Sequence, residues 1–176
     1  SFGVFFDSEE TKGKRYFGAK IIPSRGVWIE LGTEPDGGVY VRVDKKRKFS
    51  VIALLRVFGF TSDDAIKNAF KDHEVAGPLM SMLVERDEVK TLHDAYIEIY
   101  KRLRDGDLAT PDNAKGFIDT LFSSERYDLS PVGRFSLNKR FGKGTEKKDL
   151  EHRILTKDDI ALIVNHVLTL NATPNA

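Results

Sequence analysis

Apolar and polar residues change period once along this chain. Up to Phe49 they alternate in twos, and after Ser50 apolar residues recur every three to four positions. Val27, Ile29 and Leu31 alternate with Gly26, Trp28 and Glu30, and Val39, Val41 and Val43 alternate with Tyr40, Arg42 and Asp44. A period of two marks strands with one buried face. Pro35, Asp36, Gly37 and Gly38 are residues that tolerate turn geometry, so they join the two strands. Gly3 to Phe6 reads as a short strand, Asp7 to Arg15 as a charge-mixed polar loop, and Tyr16 to Ile22 as the next strand. In that last strand Phe17, Ala19 and Ile21 share one side.

From Ser50 onward the spacing predicts helices. Ser50 caps a helix whose face is Val51, Leu54, Leu55 and Phe58, stopped by Gly59. Thr61, with Asp64 three residues on, starts a second, with Ile66, Ala69 and Phe70 inward. Val75 to Val84 holds a short helix with Met80, Met82 and Leu83 in the core. Thr91 caps a clearer helix faced by Leu92, Ala95, Tyr96, Ile99 and Leu103. Arg104 to Asp107 is a turn. Thr110-Pro111 opens a helix that buries Phe117, Ile118, Leu121 and Phe122, with Pro at the first position, where its missing N–H costs little. Ser130-Pro131 repeats that signal before Val132, Phe135 and Leu137. Gly142 to Asp149 reads as a flexible basic loop. Thr156 and Asp159 begin a last helix with Ile160, Ile163, Val164, Val167 and Leu168 as its stripe, and Asn171 to Ala176 is a frayed end or linker. The expected class is α+β: a strand-rich unit over residues 1–49 packed with about six helices over residues 50–176.

Composition narrows the function classes. The 176 residues suffice for a sizeable core. A net charge of +1 argues against a globally basic nucleic-acid binder, so such contact must come from local patches. There is no cysteine, hence no disulfide or thiolate metal site, which fits a reducing cytoplasm. No apolar run is long enough to suggest a membrane span, and nothing resembles a signal peptide. The chain begins at Ser1 within a strand-like phrase and without an initiator Met, as expected of a piece of something larger.

No catalytic constellation emerges. His73, His93, His152 and His166 lack ligand spacing, and GKGT at Gly142 to Thr145 is only a fragment of a phosphate-binding loop. Asp63-Asp64 and Asp158-Asp159 stand at helix starts, where acids offset the helix dipole. Binding chemistry remains. Trp28, Tyr40, Arg42 and Asp44 tend to one strand face, beside Lys45, Lys46, Arg47 and Lys48. An aromatic plate next to cations is what a single-stranded nucleic acid needs. The plainer reading is a packing tryptophan and a solvated basic turn, with Arg42 and Arg47 paired to Asp44 or Glu30. Arg126, Arg134, Lys139 and Arg140 form a second basic cluster, in which Tyr127, Asp128 and Gly133 read as fold residues.

Five phrases carry a resemblance. IIPSRGVWIEL followed by VYVRVDKKRKFSVIALLRVFGF resembles the lobe segment of the bacterial RNA polymerase β subunit. SFGVFFD is similar to that family's SPGVFFD-type phrase, RYDLSPVGRFSLNKRFG to its RYDLSxVGRxKxNxxLG-type segment, and LTKDDI to its LTKEDI-type helix start. These blocks stand in the family's order and span essentially the whole chain. The sequence departs from the family at Phe2, where Pro is usual, and at Arg104-Asp105-Gly106-Asp107-Leu108, which replaces a Pro-rich RPGEPP-type turn.

The resemblance implies a non-catalytic module of a nucleotidyltransferase, DNA-directed RNA polymerase, whose catalytic Mg²⁺ is bound by another subunit. This module would wall the downstream DNA cleft and help hold the non-template strand of the open bubble. Trp28 matches a tryptophan that stacks on an unpaired non-template base, Asp44 an acid at the same site, and Arg104 an arginine of the turn near that strand. Arg42, Lys45, Lys46 and Arg47 follow by position on the basic strand end, and Arg134 and Arg140 belong to the second cluster. Implied partners are the rest of β with β′, α, ω and σ, the non-template strand and downstream duplex, and transcription regulators. The implied location is the cytoplasm, at the nucleoid, with no membrane contact. The rival expectation is a protein-interaction module docking σ or regulators, with DNA contact secondary. Nothing supports a free-standing enzyme.

Overall fold

The computed structural model describes residues 2–173. Five antiparallel strands form a meander in chain order: β1 (Gly3–Thr11), β2 (Lys14–Ile22), β3 (Ile29–Thr33), β4 (Val39–Val43) and β5 (Phe49–Ser50). Seven α-helices follow among the described residues: α1 (Val51–Phe58), α2 (Asp63–Phe70), α3 (Ala76–Arg86), α4 (Leu92–Leu103), α5 (Pro111–Leu121), α6 (Ser130–Arg140) and α7 (Lys157–Ala172). A short 3₁₀ helix, Lys147–Glu151, lies between α6 and α7. The class is α+β.

Register places the apolar residues in two cross-strand rows. Ile21, Ile29 and Val43 align in one, and Ala19, Leu31, Val41 and Phe49 in the other. All seven are buried in a single apolar cluster with residues from all seven helices. Lys20, Glu30 and Arg42 align on the opposite face of the same strands. Ser50 ends β5 and caps α1, its hydroxyl accepting from the Ala53 N–H, so the change of period falls at a single residue. Val51 to Arg56 of α1 are all buried.

Several sequence expectations are corrected. Asp7 to Arg15 is not a loop: β1 continues to Thr11 and pairs residue by residue with β2 across a Lys12-Gly13 turn. Both turn residues have positive φ, the geometry of a tight hairpin. Polar composition there reflects the exposed far end of the hairpin. The cap of α2 is Ser62 rather than Thr61. Met82 is exposed, because helical spacing turns Met80, Leu83 and Val84 inward and leaves it outside. In α6 the buried stripe is Gly133, Arg134, Leu137 and Asn138, which leaves Val132 and Phe135 exposed. The basic loop from Gly142 contains the start of the 3₁₀ helix, closed by a reciprocal Glu146–Asp149 capping box. Asn171 and Ala172 complete α7, and residues 174–176 lie outside the described residues.

That polar stripe in α6 has an electrostatic cause. Arg134 and Asp159, only 4% and 1% exposed, form a two-pronged ion pair at 2.8 and 2.9 Å. Arg134 also donates to the carbonyls of His152 and Ile154, both at 2.7 Å. Asp159 in turn accepts from the Thr156 N–H as part of the capping box of α7. One guanidinium thus fastens α6, the 152–154 segment and the start of α7. Losing one partner of such a pair strands the other charge in the core, so Asp159→Ala is expected to lower unfolding free energy by about 3–5 kcal/mol, read by denaturant titration.

Asp128 is a second junction. Its carboxylate accepts from Arg153 at 2.9 and 2.8 Å and from the Ser130 N–H at 2.7 Å. The Arg153 hydrogen bonds hold the Asp128 carboxyl below its ordinary value, against partial burial. A lowered folded-state value stabilises the fold fully above the unfolded value, near 3.9, and the effect is lost as pH falls through the folded value. Acid titration of Asp128→Asn should therefore show a shallower loss of stability below about pH 4 than wild type.

Candidate nucleic-acid interface

Trp28 is held at the sheet end by the segment before it. The N–H groups of Ser24 and Arg25 donate to the Asp128 carbonyl at 2.9 and 3.1 Å, and the Asp128 N–H returns a bond to the Arg25 carbonyl at 2.9 Å. Gly26 then passes so close to Tyr127 that a Cβ would lie 2.8 Å from its ring, with φ +121, so only glycine fits. Ile29 points into the core, and alternation leaves Trp28 on the open face, 38% exposed. Its carbonyl accepts from the Asp44 N–H at 3.0 Å.

The turn leaving β4 places the cations. Asp44 and Lys45 both adopt left-handed φ, 56° and 57°, and the Lys46 N–H closes onto the Val43 carbonyl at 3.1 Å. Reversal within two residues brings Lys45 Nζ to 5.2 Å from the centre of the Trp28 ring, within cation–π range. Beyond it opens a basin of about 700 Å³. Arg42, Lys45, Lys46 and Arg47 come from the strand side, and Arg102 and Arg104 from the last turn of α4 and its cap. Asp105 and Asp107 are its acidic residues. Beside it lies a crevice of about 210 Å³ walled by Val27, Val43, Leu103, Phe117 and Leu121, with Asp44, Lys46 and Arg104 at its polar edge.

Pairing within the basin is partial. Arg47 donates to the Lys101 carbonyl at 3.2 Å and meets Asp105 at 3.5 Å, not Asp44 or Glu30. Arg104 pairs with Asp107 at 2.7 Å and lies 5.2 Å from the Phe117 ring, and Arg102 pairs with Glu98 at 2.8 Å. Arg42 stands opposite Glu30 in register but forms no ion pair among the described residues; its guanidinium is 5.8 Å from the Tyr40 ring. Exposed pairs of this kind contribute little each and exchange readily with a competing anion.

Structure therefore unites Arg42, Lys45, Lys46, Arg47 and Arg104 around one basin; Trp28 meets it through Lys45, and Asp44 lines the adjoining crevice. It does not bring in Arg134 or Arg140. Arg134 is buried in the ion pair with Asp159. Arg140 lies against β1 and α7, donating to His166 Nε2 at 3.1 Å, with its guanidinium 4.8 Å from the Phe6 ring. Burial, and then the Arg140 charge, lower the His166 pKa, consistent with a neutral imidazole accepting that bond. Two residues of the second sequence cluster are thus engaged internally. Conversely, Arg102 and the apolar crevice escaped the sequence reading. Arg102 looks like half of an ordinary i,i+4 pair with Glu98, and only the packing of α4 beside the β4–β5 turn brings it to the basin.

Similarity to known proteins extends over nearly the whole chain. The family model for RNA polymerase Rpb2, domain 2, matches residues 2–174. The chain belongs to that family. In this Rpb2 domain 2 chain, the sheet, the helices and the basin all fall within the matched span. It is 39% identical over 173 residues to the DNA-directed RNA polymerase subunit beta of Bifidobacterium adolescentis, covering 97% of this chain and 14% of that protein. The corresponding subunit of Streptomyces coelicolor is 37% identical over 173 residues, with the same shares, and that of Clostridium perfringens 38% identical over 168 residues, covering 94% and 13%. The chain thus spans about one seventh of the length of these relatives, and aligns with a region of the β subunit.

Trp28 is the sole tryptophan, which makes it a built-in reporter of the site. Its exposed ring should be quenched by iodide. A single-stranded oligonucleotide stacked on it should reduce that quenching, with the protection fading as salt rises.

Proposed function

We propose that this chain is the lobe of a bacterial DNA-directed RNA polymerase β subunit, a non-catalytic wall of the downstream DNA cleft that holds the non-template strand of the open bubble. The carrying observation is the exposed Trp28 ring set against Lys45 at the edge of a basin with six cationic side chains. A ring offers a stacking face to an unpaired base, and the basin offers charge to the adjoining phosphates. Paired bases have no free face to offer at that position, so stacking favours melted DNA over duplex. Asp44, fixed at the turn beside Trp28, presents a carboxylate that accepts hydrogen bonds from a base edge. The family membership and the β-subunit relatives support the setting: the rest of β with β′, α, ω and σ as partners, nucleotidyl transfer at a Mg²⁺ site on another subunit, and the cytoplasmic nucleoid as location. No described helix is long and apolar enough to cross a membrane.

The test is the lifetime of the promoter open complex formed by polymerase whose full-length β carries Trp28→Ala. Stacking is worth about 1–3 kcal/mol per base, so the half-life should fall roughly 5- to 150-fold. The substitution leaves the buried rows of the sheet untouched. An unchanged half-life would overturn the reading.

A further inference from the structure

The turn after α4 places two carboxylates inside a basin whose other charged side chains are all cationic. We propose that Asp105 and Asp107 act as internal competitors for the phosphates of the bound strand, setting how tightly and how salt-sensitively the basin holds single-stranded DNA. This rests on the reading of the basin as a strand-binding site, and it extends that reading to the site's regulation.

Three observations carry it. First, the two acids contact the guanidinium groups that a phosphate would use: Asp105 meets Arg47 at 3.5 Å and Asp107 meets Arg104 at 2.7 Å. A carboxylate and a phosphodiester present the same kind of anionic acceptor to an arginine fork, so one guanidinium edge cannot serve both fully. Second, the turn stands without these side chains. The Arg104 N–H caps α4 on the Tyr100 carbonyl at 2.7 Å, the Asp107 N–H closes on the Arg104 carbonyl at 3.1 Å, and Gly106 supplies the left-handed residue at φ +88. The carboxylates are therefore additions to a backbone turn that closes on its own hydrogen bonds. Third, all four groups are substantially exposed, between 43% and 79%, so the pairs are weak and a strand can displace them. Displaced, the acids remain beside the strand and repel it. Lys45, Lys46 and Arg42 have no ion-pair partner among the described residues, so they form the unopposed part of the basin. Arg47 and Arg104 are conditional contacts.

The test uses whole polymerase assembled with full-length β carrying Asp105→Asn and Asp107→Asn, isosteric changes that keep the turn backbone. The measurement is open-complex half-life on one promoter as a function of salt, alongside Trp28→Ala. The half-life should lengthen roughly two- to tenfold at moderate salt. The logarithmic salt dependence should steepen by about 0.7 for each further phosphate that the freed arginines neutralise. Adding Arg104→Gln should abolish the lengthening due to Asp107→Asn, since the acid acts through that arginine. With Asp107→Asn as the only acid change, a lengthening that survives Arg104→Gln would overturn the competition. So would an unchanged or shortened half-life in the double Asn variant while Trp28→Ala still shortens it, and the strand-binding reading would then stand. If Trp28→Ala has no effect either, the reading of the basin falls, and this inference falls with it.

Discussion

Register is the constraint on which the rest depends. A strand has two faces, and a slip of one residue exchanges them. The rows Ile21–Ile29–Val43 and Ala19–Leu31–Val41–Phe49 lie under the helices because their side chains cannot be left in water at tolerable cost. Once those rows are inward, Glu30 and Arg42 are outward, and Trp28 follows on the same alternation. The exposed tryptophan is thus a consequence of what the sheet must bury.

The arginines show how tertiary context divides one residue type among different duties. Arg56 is wholly buried and fastens α1 to the start of α2 by donating to the Thr61 carbonyl at 2.8 Å and to Asp63 at 2.5 Å. Arg134 does similar work between α6 and α7. A delocalised guanidinium tolerates such burial where its donors meet acceptors, as they largely do here. Arg42, Arg47, Arg102 and Arg104 keep their charged ends at the basin, in weak pairs or none. In sequence all six look alike, and their burial separates them.

Architecture and candidate binding surface are joined at Asp128. Its main chain bonds the 24–25 segment that delivers Trp28, while its side chain holds Arg153 and the start of α6. The helical half therefore holds the sheet end at the position from which Trp28 meets Lys45. Between β4 and β5, the two left-handed residues Asp44 and Lys45 turn the basic run back over that same ring.

Much of this was legible in the sequence, because hydrophobic burial leaves a periodic trace. The strand faces around Trp28, the caps at Ser50, Thr91, Thr110 and Thr156, and the α7 stripe could all be read from spacing. The basic strand end beside an aromatic was legible for the same reason, since its members are neighbours in the chain. Local polarity misled where it had a non-local cause: the exposed β1–β2 hairpin reads as a loop, and of Val132, Phe135 and Leu137 in α6 only Leu137 is buried, beside the polar Arg134 and Asn138. Which faces are apolar and where helices start could be settled from the chain alone, since both follow from residues within a few positions of one another. The burial of Arg134 and the reach of Arg102 to the basin emerge only from the folded chain. So does the opposition of Asp105 and Asp107 to Arg47 and Arg104, because each of those facts depends on which helix end packs against which turn.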